Sequence, residues 1–199
     1  MRNTLPNYLR LWSKLMITQP RDAVVVTEAD DDADADGLSA SADVRWLDDL
    51  EQRAWRAWLR GYRLLMVALE EGLAGTGVRL GEYEVLSMLS EATDGRMRMS
   101  ALADLVVQSR SRLTHTAKRL EALGLVRRER ISGDGRGVEV SVTPEGFALV
   151  KRVAPIHLET VREQFLDQMS RNELLRMGEV MRRVIIVARE RPEQGSDAF

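Results

Sequence analysis

The stretch Ser100–Thr143 reads SALADLVVQSRSRLTHTAKRLEALGLVRRERISGDGRGVEVSVT, and its punctuation divides it into three pieces. Ser100 is placed to cap a short helix holding Leu102, Ala103, Leu105 and Val106. Gln108-Ser109 breaks that helix, and Ser109 caps a second one that runs to Leu123-Gly124. Within it Leu113, Ala117 and Leu120 are spaced four and three apart and form one inward face. Gly124 stands where a left-handed residue closes a helix. Leu125–Ile131 and Gly137–Val142 then flank Ser132-Gly-Asp-Gly-Arg136. Val138, Val140 and Val142 alternate with polar residues at the strand period, and the glycines at 133, 135 and 137 fit a hairpin tip. Two helices joined by a tight turn and followed by a hairpin make a winged helix-turn-helix.

Outward from this segment the pattern is helical on both sides. From Trp46 to Leu73, Leu47, Leu50, Ala54, Trp58, Leu65 and Leu69 form one apolar stripe, widened by Trp55, Tyr62 and Met66. Gly72, Gly75 and Gly77 end it. A second helix is expected over Glu82–Ala92, with Val85, Leu86 and Leu89 inward and Asp94-Gly95 as its stop. Beyond the hairpin, Thr143-Pro144-Glu145 opens a helix reaching about Met169, with Thr as cap and Pro in the first helical position. Ser170-x-x-Glu173 is a capping box for a last helix to about Glu190. The expected fold class is mainly α with a small β-hairpin wing.

The ends differ in character. Leu5, Tyr8, Leu9, Trp12, Leu15 and Met16 have helical spacing; they suit either a short amphipathic helix, on the body or on a membrane surface, or a loosely ordered extension. Residues 21–44 are rich in Asp, Ala and Ser, with little to bury, and are expected to be disordered. Residues 191–199 read as a frayed tail.

Composition excludes several chemistries. The 199 residues contain no cysteine, which removes disulfides, thiolate metal sites and thiol redox sensing. The only histidines, His115 and His157, are far apart, so no metal and no cofactor are expected. No apolar run approaches a membrane span, and Arg10 and Lys14 interrupt any leader-like core, so the expected address is the cytoplasm. No nucleophile–base set or phosphate loop supports an enzyme. The net charge of −2 hides an asymmetry: Asp22–Asp43 holds eight acids and no base, so the remainder of the chain is basic. Gln108–Gly137 alone carries eight bases against three acids, an electrostatic footprint for a polyanion.

The second helix of such a pair is the one that fits the DNA major groove. Its inward set leaves Arg110, Ser111, Thr114, His115 and Lys118 outward, with Arg112 more to the side. Arg110 could fork onto guanine, the hydroxyls could reach base or phosphate, and Lys118 suits phosphate. Ser109 or Ser111 would stand by the free backbone N–H groups of the helix start. Arg127, Arg128 and Arg130 are candidate phosphate contacts, with plain solvation the alternative for one or two of them. Arg136 at the tip is the candidate for the minor groove, with Asp134 either holding it or shaping the turn.

The run Glu82-Tyr-Glu-Val-Leu-Ser-Met-Leu, then Met99-Ser-Ala-Leu-Ala, then Gln108 through Arg128, closing on Asp134-Gly-Arg136 and Val-Ser-Val-Thr-Pro-Glu-Gly146, resembles the MarR family (multiple-antibiotic-resistance-type regulators), in an actinobacterial-like branch. The resemblance covers about Trp46 to Ala188. It implies a homodimer built from the first and last two helices. Residues 44–190 would then form the regulator domain, with 78–143 as DNA-binding lobe and 44–75 and 144–190 as dimerisation helices. The partner would be double-stranded DNA with a palindromic operator, and the mode more commonly repression. A small aromatic or phenolic effector is a further implied partner, with Trp55, Trp58, Tyr62, Met66 and Tyr83 as pocket candidates; the bland alternative is that these rings are core or dimer packing. Effector-independent or architectural DNA binding, and a winged-helix protein-interaction module, are the competing readings. The acidic extension lies outside the family pattern. It is expected to be dispensable for specific binding; its acids could instead compete with DNA for the basic face, or the start codon could lie downstream.

Overall fold

A capping box starts the first helix, α1 (Asp49–Gly72): Asp48 Oδ1 accepts from the backbone N–H groups of Leu50 and Glu51 at 2.7 and 2.8 Å, and Glu51 accepts from that of Asp48 at 3.0 Å. The cap leaves Trp46 and Leu47 outside a helix that the apolar stripe alone had started there. The computed structural model describes residues 45–131, 133 and 137–190. The expected amphipathic and acidic N-terminal segments, the C-terminal tail and the hairpin-tip residues Asp134 and Arg136 lie outside the described residues.

Helix α2 (Leu80–Glu91) begins two residues before the expected Glu82, because Glu82 is its third residue and accepts from Arg79 N–H at 2.9 Å. It is the central helix, and Tyr83, Val85, Leu86, Met88 and Leu89 are all buried. Asp94, at φ 57°, and Gly95, at φ 68°, turn the chain into a short strand, β1 (Arg96–Arg98). Three residues are too few to display a period of two, and the sequence reading contains no strand here. Arg98 passes directly into helix α3 (Met99–Leu105), so Ser100 is the second residue of that helix and not its cap. Pairing of Arg98 with Glu139 across the sheet fixes the extended backbone that the N-cap position needs.

Val107 takes φ 51° between the two helices of the pair, a conformation unusual for a β-branched residue. Helix α4 (Arg110–Ala122) follows, with Ser109 Oγ accepting from Arg112 N–H at 3.2 Å. It closes on Gly124 (φ 71°), with Gly124 N–H donating to Glu121 O and Leu125 N–H to Leu120 O, both at 2.9 Å. Strands β2 (Val126–Arg130) and β3 (Val138–Val142) form the hairpin, and β1 adds to its free side, giving the antiparallel order β1-β3-β2. Helix α5 (Pro144–Gln164) is capped by Thr143 and ends earlier than expected, with a 3₁₀ turn at Leu166–Gln168. Helix α6 (Arg171–Glu190) starts at the Ser170/Glu173 box.

One core joins these elements. Leu86 and Leu89 of α2, Leu102 of α3, Leu113 and Leu120 of α4, Val140 of β3, and Val150 and Val153 of α5 are fully buried. Helix α1 packs along α5 but buries none of its residues completely. Large apolar side chains of α1 and α6, among them Leu50, Leu64, Val67, Leu175, Val184 and Val187, remain exposed.

Candidate nucleic-acid interface

The core decides which face of α4 is outward. With Leu113, Ala117 and Leu120 at zero exposure, the helix is held by one side, and Arg110, Ser111, Arg112, His115 and Lys118 lie exposed on the rest. Thr114 is half-buried and donates its hydroxyl to Arg110 O at 2.7 Å, so its oxygen remains an acceptor. Ser109 is partly covered and engaged as the cap.

Two acids fix the C-terminal half of α4. Glu82, whose side chain is only 7% exposed, forms an ion pair with Arg119 Nε at 2.5 Å while also capping α2. Glu121 receives Arg128 three times: the backbone N–H at 2.9 Å, Nε at 2.9 Å and a terminal guanidinium nitrogen at 2.5 Å. The Arg128 hydrogen bonds, side-chain first and backbone second, hold the Glu121 carboxyl below its usual range. Helix α4 is thereby tied to α2 on one side and to β2 on the other. Neither Glu82 nor Arg119 is marked by the sequence reading; the only local signal is Glu three residues into α2. Arg128, a sequence candidate for phosphate, is engaged with Glu121 within the chain.

Between the start of α4 and the hairpin lies an open groove of about 440 Å³, lined by Arg98, Ser100, Arg110, Thr114, Arg128 and Gly137 among others. Arg98 and Ser100 reach it because β1 delivers the start of α3 beside the hairpin, a placement legible only once β1 is known. Arg127 is exposed and loosely paired with Glu129 at 3.8 Å, a surface contact of little energetic weight. Arg130 is exposed as well. The arrangement presents cations, hydroxyls and a helix start along one side, which suits a phosphate backbone with base edges between.

Of the five aromatic and methionine candidates, four lie on α1 and one on α2. Trp55, Trp58 and Tyr62 stack in series along α1, with ring centroids 5.3 and 5.9 Å apart, and are about half exposed. Met66 is half-buried on the same helix. Tyr83 is buried on α2 with its ring 4.9 Å from His157 of α5. Burial lowers the His157 pKa from its usual value, and its Nδ1 is buried without a partner among the described residues. Among the described residues no group of His, Cys, Asp or Glu could hold a metal ion, and no helix is long and apolar enough to cross a membrane.

Residues 76–137 match the family model described as MarR family. The fold is similar to AbsC of Streptomyces coelicolor, a MarR family transcriptional regulator, at 40% identity and TM-score 0.70, covering 73% of this chain and 99% of that one. It is also similar to Sco3205 of the same organism, a MarR family regulator solved in complex with DNA, at 34% identity and TM-score 0.71, covering 78% of this chain and 96% of that one. The regulator PecS of Dickeya dadantii is 33% identical over 104 residues, which are 52% of this chain and 62% of the length of PecS.

Proposed function

Because the chain belongs to the MarR family of transcriptional regulators, we propose that it binds an inverted-repeat operator as a homodimer and represses the adjoining genes. The observation that carries this is the outward face of α4, where Arg110, Ser111, Arg112, His115 and Lys118 are exposed around a helix clamped at its far end. Arg110 and Thr114, at the rim of the groove, are assigned to base edges, and Ser111, Lys118 and Arg127 to phosphates. Arg112 flanks the same surface. Asp134 and Arg136 are assigned to the wing tip, with Arg136 in the minor groove.

Dimerisation is supported by the uncovered apolar residues of α1 and α6, including Leu50 at 70% exposure and Leu64 at 61%. A second copy laid against both helices removes them from water. It also sets two copies of α4 about 34–36 Å apart, one turn of B-DNA. An aromatic acid or phenol bound against Trp55, Trp58, Tyr62, Met66 or Tyr83 would then release the operator by changing how α1 and α5 carry the DNA-binding lobes.

The test is selection of bound sequences from a random duplex pool, followed by footprinting. One protected inverted repeat, lost in Arg110→Ala with Lys118→Ala, supports the reading. Long unspecific protection points to an architectural role, and unchanged activity of the double variant points to a protein-interaction module. Sedimentation of the free protein gives its oligomeric state.

A further inference from the structure

We propose that the acidic stretch Asp22–Asp43 docks on the basic face of α4 and β2 when DNA is absent, as a tethered competitor for nucleic acid. The inference rests on the DNA-binding reading of that face. The first ground is how the acids of the folded part are used. Glu82 is committed to Arg119, Glu121 to Arg128, and Glu129 lies beside Arg127. Glu84 lies near Arg112, whose charge opposes the rise that burial gives the Glu84 carboxyl. Arg110, Arg112 and Lys118 have no ion pair among the described residues, with Arg110 and Lys118 on the outward face of the helix and Arg112 toward its α2 side. The carboxylates that could answer them are in Asp22–Asp43, which holds eight acids and no base.

The second ground is charge spacing. Asp30, Asp31, Asp32, Asp34 and Asp36 put five carboxylates into seven residues. At full extension that is roughly 23 Å of chain, or about one charge per 5 Å, close to the 3.4 Å per charge along one DNA strand. A surface arranged for phosphates meets a similar line density in this segment. The Ala, Ser and Val residues between the acids offer little apolar area to compete for burial elsewhere.

The third ground is reach. The stretch is joined to the folded part just before Asp48, the cap of α1. Its 22 residues span up to about 70 Å, several times the roughly 15 Å radius of gyration of a domain this size. A tether of this kind holds its own segment at an effective concentration of order millimolar. Even a weak, salt-sensitive contact is then populated, and DNA must displace it.

The experiment compares the full chain with a full-length variant carrying D30N, D31N, D32N, D34N and D36N. Binding to a 30-base-pair duplex of arbitrary sequence is followed by fluorescence anisotropy. In parallel, carbodiimide cross-linking of the DNA-free proteins is read by mass spectrometry for links from Lys118 to residues 30–36. The expected result is binding about 3- to 10-fold tighter for the variant at 50 mM salt, shrinking below about twofold at 300 mM as screening removes the contact. The Lys118 link is expected in the parent and should disappear when duplex is added. Equal affinity at low salt overturns the proposal. Tighter binding without the Lys118 link also overturns it, since that is long-range charge and not docking. A parent and a variant that both fail to bind any duplex overturn the reading of α4 itself, and the inference with it.

Discussion

Gly146→Ala separates local propensity from tertiary constraint with opposite signs. Gly146 is the third residue of α5 and is buried. Its φ is ordinary for a helix, so propensity alone makes alanine stabilising by about 0.5–1 kcal/mol. The surroundings reverse this. A Cβ at this position would lie 2.1 Å from Leu125 O, 2.9 Å from Val142 Cγ2 and 3.0 Å from Leu125 C. Relief requires α5 to withdraw from Leu125 by well over an ångström before the two reach ordinary van der Waals contact. Leu125 cannot yield easily. Its carbonyl accepts from Thr143 N–H at 3.0 Å and its N–H donates to Leu120 O at 2.9 Å. Thr143 Oγ1 donates to Gly124 O at 2.7 Å and accepts from Gly146 N–H at 3.0 Å. Overpacking costs roughly 1–3 kcal/mol, and loosening one or two of these hydrogen bonds costs about 1 kcal/mol each. Set against the propensity gain, the net destabilisation is about 2–3 kcal/mol. For a chain of this length that lowers the melting temperature by about 5–10 °C. Thermal unfolding followed by far-ultraviolet circular dichroism reads it directly. An alanine variant as stable as the parent would mean that α5 does not approach Leu125 this closely in solution.

The double role of Glu82 gives Glu82→Ala a loss of about 2 kcal/mol in urea unfolding, and Glu82→Gln about half of that, since the amide oxygen still accepts from Arg79; a Gln variant as stable as the parent would argue against the Arg119 pair, and equal losses against the cap. Ser109→Ala should lose about 1 kcal/mol with its cap on Arg112 N–H. Ser109→Asp should keep that stability yet weaken DNA binding in a gel shift, because it sets a negative charge where a phosphate is proposed to sit; tighter binding by the Asp variant contradicts the orientation of α4. Burial holds His157 below its ordinary value of 6.5, so the unfolded chain takes up the proton first and stability present above pH 6.5 is lost as the pH falls through the folded value. His157→Phe should flatten the melting-temperature profile on the acid side of 6.5, and a profile parallel to the parent's would exclude His157 as its source.

Much of the candidate interface is legible in the chain because its determinants are local. Ser109, the Leu113–Ala117–Leu120 spacing and Gly124 lie within sixteen residues, and helix periodicity then dictates that Arg110, Arg112, His115 and Lys118 face away from the core. Thr143-Pro144 and Ser170-x-x-Glu173 mark helix starts for the same reason. Local rules mislead where a distant segment supplies the determinant. Ser100 is a good cap by type, yet Arg98 takes the position because β3 holds it extended. Arg128 looks like its solvated neighbours Arg127 and Arg130, and only the folding of β2 against α4 brings it to Glu121.

The order of the helices and the hairpin, the outward face of α4 and the separation of an acidic stretch from a basic body can all be read from the chain. These follow from side-chain periodicity and charge, which act over a few residues. The tertiary structure alone decided that β1 exists, that Glu82 and Glu121 brace α4 from two sides, and that Gly146 is a contact point and not merely a weak helix former. Each of those depends on groups far apart in the chain meeting at a few ångströms, where hard-sphere contact and paired charge outweigh any local preference.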